Sequence, residues 1–212
     1  GCQMSVGRVG YRFMQLDIPA GDFDGYIFDL DGTLVDTMPL HFIAWSEAMK
    51  RAGLPVPLSE DLFYSLGGVP TRRVAELFGE HYRHPIDADA VSHVKELLYL
   101  ERIAQVERIE AVTAFARKVA KTKPVAIATG GQPEIAIPAI KAAGLDDIFT
   151  VVITPNDVPP GRGKPEPDMF ILAAQRIGVD PKKCLAFEDA EPGIRAATTA
   201  GMTVVRVPSR VV

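Results

Sequence analysis

A chain of 212 residues with 47% hydrophobic composition can bury a substantial core, which excludes overall disorder and suits one large domain or one domain carrying a modest insertion. Its formal charge of −4 comes from 23 basic and 27 acidic residues spread along the chain, without the basic blocks that neutralise a nucleic-acid backbone. No apolar run approaches the roughly twenty residues needed to span a bilayer, and no signal-peptide succession opens the chain, so a cytoplasmic protein with neither nucleic acid nor membrane as partner is expected.

Gly1-Cys-Gln ahead of Met4 reads as a cleavage remnant, which leaves Cys2 without an expected role and puts Met4 near the natural start. Residues 11–23 alternate weakly and read as an added edge strand or a loose arm. The stretch Gly25-Tyr-Ile-Phe-Asp-Leu30 runs into Asp31-Gly-Thr33, so it is expected to be a buried strand delivering carboxylates at its C-terminal end. Between about 38 and 106 the pattern turns helical, with helices expected over 40–52, 59–66, 71–78 and 88–105 and no strand among them. This insertion, residues 37–107, would form a small second domain on two linkers, one just after Asp36 and one near 107–110, that can act as a hinge. Strands are expected again at 124–129, 148–153, 183–187 and 203–207, alternating with helices over 112–121, 133–143, 167–177 and 192–200. Several of these helices open on Pro and are followed by Gly144, Gly178 or Gly201. Cys184 falls in the strand at 183–187 and reads as a buried thiol rather than part of a disulfide framework. Alternation of this kind implies an α/β fold, a doubly wound parallel sheet built from residues 1–36 and 108–212 with the helical cap inserted after the first core strand.

The central constellation is Asp29-Leu-Asp31-Gly-Thr-Leu-Val-Asp36. Two carboxylates at one strand end repel each other unless a cation bridges them or one holds a proton, so metal binding or acid/base work is implied. An isolated acid pair of this kind is more often a solvated turn. The eight residues together, following an apolar strand, resemble the first motif of haloacid dehalogenase-type phosphatases. The resemblance implies that Asp29 attacks phosphorus, and that Asp31 protonates the leaving oxygen and then activates water.

Three further segments carry the resemblance in the family's order. Thr129 in Ala128-Thr-Gly-Gly131 matches the second motif, a hydroxyl donated to a phosphoryl oxygen, with Gly130 and Gly131 letting backbone N–H groups approach the same anion. Lys164 in Gly163-Lys-Pro-Glu-Pro-Asp168 matches the third, a cation shielding the charge shared by nucleophile and phosphate. Asp168 reads as a helix cap or first-turn acid. Phe187-Glu-Asp-Ala190 matches the fourth, so the implied cofactor is Mg²⁺, held by Asp29, Asp189, the Asp31 carbonyl and Glu188, the last directly or through water. Asp31 argues for phosphate over halide chemistry, since halide displacement does not need it.

The cap is expected to choose the substrate. Asp36-Thr-Met-Pro-Leu-His41-Phe-Ile-Ala-Trp45 and Gly67-Gly-Val-Pro-Thr-Arg72-Arg73 resemble cap segments of the β-phosphoglucomutase-like branch, which makes His41, Arg72 and Arg73 candidate substrate contacts. Helix packing for His41 and Trp45, and solvation for the arginines, are the plainer readings. Gln132 and Pro133 stand where the mutase carries a Lys-Asn pair for a second phosphate, so the chain looks more like the branch's sugar phosphatases, of fructose-1-phosphate phosphatase type. The expected activity is Mg²⁺-dependent hydrolysis of a small phosphorylated metabolite, a sugar phosphate, by a monomer or weak homo-oligomer. β-Phosphoglucomutase is the alternative, and a catalytically silent sugar-phosphate-binding protein a more distant one.

Overall fold

The computed structural model describes residues 14–208. Five parallel strands, β1 (Gly25–Phe28), β4 (Val125–Ala128), β5 (Val152–Ile153), β6 (Cys184–Glu188) and β7 (Thr203–Arg206), form one sheet in the order β5-β4-β1-β6-β7. β1 is central, pairing Phe28 with Ile127 on one side and with Phe187 on the other. Side chains alternate across such a sheet, and the sequence supplies large apolar residues on one face and small ones on the other. Phe28, Ile127, Leu185 and Phe187 pack beneath α5 (Glu110–Ala120) and α6 (Pro133–Ala142), and Phe28 stacks on Phe187 with ring centroids 4.6 Å apart. Ile27, Ala126, Ala128 and Ala186 lie against α7 (Asp168–Ile177) and α8 (Glu191–Thr199), whose inward residues Ala173, Ala174, Ala196 and Ala197 permit close approach. Burial on both faces is why these strands read as continuous apolar runs.

The strand order reverses at β1. Chain direction goes from β1 outward to β4 and β5, then returns to the other side for β6 and β7, and ligands of open α/β sheets bind beyond the carboxyl ends at such a point. Asp29, Thr129 and Asp189 follow the last residues of β1, β4 and β6, and Glu188 is itself the last residue of β6.

Four helices, α1 (Met38–Arg51), α2 (Glu60–Ser65), α3 (Thr71–Tyr82) and α4 (Ala88–Leu100), share an apolar cluster that includes Leu40, Trp45, Met49, Phe78, Leu98 and Tyr99. Ser59 and Asp87 cap α2 and α4, accepting from the Leu62 and Ala90 N–H groups. The two linkers are not independent strings: β2 (Val35–Asp36) and β3 (Glu107–Arg108) pair antiparallel. Two residues on each side are too few for periodicity to show, so no strand was expected there. The helix expected over 88–105 ends at Leu100, and a 3₁₀ turn at Ile103–Gln105 re-aims the chain into β3. The strand expected over 148–153 shortens to Val152–Ile153, although Phe149 ahead of it is buried in the core. Of the N-terminal segment, residues 14–23 form no strand, and Met14, Leu16 and Phe23 pack against the core as an irregular strap. Residues 11–13, like Cys2 and Met4, lie outside the described residues.

Candidate active site

Asp29 is buried at the end of the central strand, where its N–H donates to the Phe187 carbonyl (2.9 Å). The Lys164 ammonium reaches it across the sheet end, with Asp29 Oδ1 and the Ala128 carbonyl each at 2.8 Å and Glu188 Oε1 at 2.6 Å. The first two are hydrogen bonds; the third is an ion pair, and Glu188 Oε1 is left buried without a hydrogen-bond donor among the described residues. Burial alone would lower the Lys164 pKa, but the charges of Asp29 and Glu188 outweigh it and hold the amine protonated. On the loop carrying it, Arg162 grips both oxygens of Asp168 at 2.7 and 3.1 Å; Asp168 is the first-turn acid of α7, as one of its two readings had it, and Pro167 stands at the cap position.

Asp29, Glu188 and Asp189 each place a carboxylate oxygen within 4.8 Å of the others. One lysine does not balance two buried acids and a half-buried one. Burial first, and then the charge of Asp29, pushes the Glu188 carboxyl up to about 8 and the Asp189 carboxyl well above its usual range. Two glycines make room for these acids: a Cβ on Gly32, whose φ is +78°, would overlap the Asp189 carboxylate, and one on Gly193 would overlap Glu188. A hard, all-oxygen donor set, deficient in positive charge and cradled by glycine, fits a divalent cation such as magnesium.

The cluster has a consequence for stability. A carboxyl whose pKa is higher in the folded chain adds stability that is complete below its unfolded value and lost as pH rises through its folded value. For Glu188 that window runs from 4.5 to about 8. His41, depressed below 6.5, acts oppositely only in the lower part of this range, and Lys95, lowered to about 8, only above it. Metal-free protein is therefore expected to melt at falling temperature between about pH 6.5 and pH 8. Scanning calorimetry in chelator checks this; Glu188→Gln should flatten the decline, and a midpoint that rises across the window in the parent protein would contradict it.

Asp31 faces the cap. Its Oδ1 accepts from the Thr37 hydroxyl at 2.5 Å and lies 3.3 Å from His41 Nε2, while a Cβ on Gly131 would lie 3.9 Å from its Oδ2. Thr37 precedes α1 but caps none of its N–H groups, because its hydroxyl is used on Asp31. Burial raises the Asp31 pKa, yet the hydrogen bond and charge of His41, with Thr37 and Lys95, outweigh it and hold the carboxyl below its usual value. In this arrangement Asp31 is a carboxylate, the form able to accept a proton. Burial and the Lys95 charge depress His41, so the neutral ring donates from Nε2, which leaves Nδ1 a buried acceptor without a partner.

Thr129 is fully buried and its hydroxyl accepts from the Gly131 N–H at 3.1 Å, while a Cβ on Gly130 would meet nothing within 4 Å. The second motif thus borders open space beside Asp31. Arg72 and Arg73 are not brought to this centre: they lie exposed on α3, bonded to Glu76, Glu80 and Asp89 of the cap. The glycine loop before them does approach the core, since a Cβ on Gly68 would lie 3.0 Å from Pro192 Cγ.

Besides the Thr37 bond, two residues were not anticipated. Lys95 is 3% exposed, packed over the Trp45 and Tyr99 rings with its charge felt at Asp31 and His41, and it makes no ion pair among the described residues. Its signal was available, because Val91, Lys95 and Leu98 follow helical spacing and put a cation where an apolar residue belongs. Thr33 is the other, fully buried with its hydroxyl at Asp189 and Asp29.

Residues 23–201 match the family model described as haloacid dehalogenase-like hydrolase. Fructose-1-phosphate phosphatase YqaB of Escherichia coli K12 is 34% identical over 189 residues, covering 87% of this chain and 96% of that protein. β-Phosphoglucomutase of Bacillus subtilis 168 is 29% identical over 188 residues, covering 85% and 81%. Among solved structures, CbbY from Rhodobacter sphaeroides in complex with phosphate aligns with a TM-score of 0.74 over 86% of this chain and 84% of that one, at 22% identity, a likeness of fold. With an acidic cluster at the switch point of its sheet and this match over most of its length, the chain belongs to the haloacid dehalogenase-like hydrolases.

Proposed function

We propose that the protein is a magnesium-dependent phosphatase of a sugar phosphate, working through an aspartyl-phosphate on Asp29. The observation that carries the reading is the Asp29 carboxylate itself, fixed on Lys164 at 2.8 Å beside Glu188 and Asp189 at the mouth of the sheet. Asp29, Glu188, Asp189 and the Asp31 carbonyl would hold Mg²⁺, which when bound supplies positive charge against the phosphoryl oxygens.

The chain's own groups account for the rest. An Asp29 oxygen attacks phosphorus while the bond from phosphorus to the sugar oxygen breaks, and Asp31 gives that oxygen its proton. The negative charge of a phosphoryl group entering beside Asp31 raises its pKa and so supplies the protonated form that His41 and Thr37 otherwise disfavour. Asp31, now a carboxylate, takes a proton from water as water attacks phosphorus, releasing inorganic phosphate and restoring Asp29. Lys164 and Thr129 hold the developing charge and a phosphoryl oxygen.

In this reading residues 37–107 are the cap and residues 1–36 and 108–212 the catalytic core. The buried Lys95 and His41 bring a cation and a ring nitrogen over Asp31, groups suited to the hydroxyls of a sugar, whereas Arg72 and Arg73 would have to leave their carboxylate partners to reach substrate. Fructose 1-phosphate heads the candidates by the likeness to the phosphatase named above. A buried free thiol at Cys184 accords with the reducing cytoplasm. No helix among the described residues is long and apolar enough to cross a membrane.

The alternative is the mutase. Gln132 holds the N-cap position of α6 without a side-chain capping bond and Pro133 is the first residue of the helix, so neither brings an amine to a second phosphate. Screening phosphorylated sugars with Mg²⁺, with Asp29→Asn as control, is expected to show inorganic phosphate release from a hexose monophosphate. Interconversion of β-glucose 1-phosphate and glucose 6-phosphate faster than phosphate release would overturn hydrolysis as the main activity.

A further inference from the structure

We infer that Thr33 is a positioning residue for the cation site: its hydroxyl holds the Asp189 carboxylate beside Asp29, so that the two acids are set for a divalent ion before it binds. The inference rests on the metal-dependent reading above and concerns a residue that contributes no ligand of its own.

Thr33 is fully buried in the turn after Asp31, with its N–H donating to the Leu30 carbonyl (3.2 Å). Its Oγ1 lies 3.0 Å from Asp189 Oδ1 and 3.3 Å from Asp29 Oδ2. A hydroxyl has one proton, so it donates to one of these at a time, and the shorter distance selects Asp189. On the other side of the same carboxylate, Asp189 Oδ2 rests against Gly32, where φ is +78° and a Cβ would overlap it. Consecutive residues of one turn therefore contact both oxygens of one acid. Asp29, on the strand leading into that turn, shares the same hydroxyl, so Thr33 ties the spacing of the two acids to the covalent geometry of four residues of chain.

Without the hydroxyl, the buried Asp29 and the half-buried Asp189 lose the group that sets their separation, and the acids have to be ordered when the cation arrives. Partners of this kind around metal ligands typically account for about 10–100-fold in affinity. A purely structural role for Thr33 makes a different forecast, in which the metal-free protein loses stability and metal affinity stays as it was.

The test is calorimetric titration of Mg²⁺ into the full chain and its Thr33 variants, with melting temperatures measured in chelator alongside. Thr33→Val keeps the shape and removes the donor, Thr33→Ala removes both, and Thr33→Ser keeps the donor. Thr33→Val and Thr33→Ala, or whichever of them folds, are expected to bind Mg²⁺ about 10–100-fold more weakly, and Thr33→Ser within a few-fold of the parent. The Mg²⁺-induced rise in melting temperature should shrink in step. Donorless variants that bind Mg²⁺ as tightly as the parent would overturn the role of Thr33 while leaving the phosphatase reading intact. A parent protein that binds no Mg²⁺ would overturn both.

Discussion

Asp29→Asn is expected to lower kcat by about four orders of magnitude or more, because an amide cannot form the acyl phosphate. The substitution changes little else. The amide oxygen still accepts from Lys164, now 2.8 Å from Asp29 Oδ1, and the fold keeps its packing. Removing a charge from a cluster in which Asp29 raises the pKa of both Glu188 and Asp189 also relieves repulsion, so the variant should melt no lower than the parent at neutral pH in chelator. Loss of activity with retained stability is the signature of a reacting group. Single-turnover phosphate release on the substrate found by screening measures the first part, and a variant retaining more than a few per cent of parental kcat would show that chemistry proceeds without Asp29.

Asp31→Asn should cost about 10²–10⁴-fold in kcat on a sugar phosphate, the usual range for a positioned acid/base. The effect should depend on the leaving group. A sugar alkoxide needs a proton to depart, whereas p-nitrophenolate does not, so with p-nitrophenyl phosphate the first displacement survives and the second, which needs Asp31 as base, becomes limiting. A burst of p-nitrophenol equal to the enzyme concentration, followed by slow turnover, is the expected trace in a stopped-flow instrument. Equal losses on both substrates without a burst would mean that Asp31 acts through structure, for instance through its bonds to Thr37 and His41.

The position of Asp31 shows what kind of information a single sequence carries. Strand alternation and strand-end acids were readable because burial on both faces of a parallel sheet imposes them, and the parallel sheet with its helices stands where expected. Asp29, Lys164, Glu188 and Asp189 lie 160 positions apart at the extremes yet were legible together, since each ends a strand or sits in the loop beyond it. The pairing of the two linkers was not, because a ladder of two residues on each side leaves no pattern. Nor was the bond that turns Thr37 from helix capping to Asp31, which exists only once α1 is set against the core. Lys95 was legible in principle, as a cation on the buried face of α4, but a lysine in a helix is ordinarily a surface residue. Arg72 and Arg73 illustrate the converse: two arginines after a glycine loop suggest an anion site, and in the structure carboxylates of α3 and α4 already occupy them.

Linker pairing also ties together the two ends of the helical segment. Val35 and Asp36 pair with Arg108 and Glu107, and the Ile109 N–H donates to the Leu34 carbonyl, so both connections are held together as one short ribbon. Thr37 begins beyond that ribbon and carries the bond to Asp31. Any rotation of α1 about the ribbon would therefore change the distance between Thr37, His41 and Asp31 directly.

The proposed chemistry stands or falls with whether an Asp29 oxygen receives phosphorus. Borohydride reduction during turnover converts an acyl phosphate to an alcohol, and peptide mass spectrometry then locates it. Homoserine is expected at position 29 in protein quenched with substrate and Mg²⁺, and unmodified aspartate when substrate is omitted. Unmodified Asp29 under full turnover, or the modification at any other residue, would contradict it.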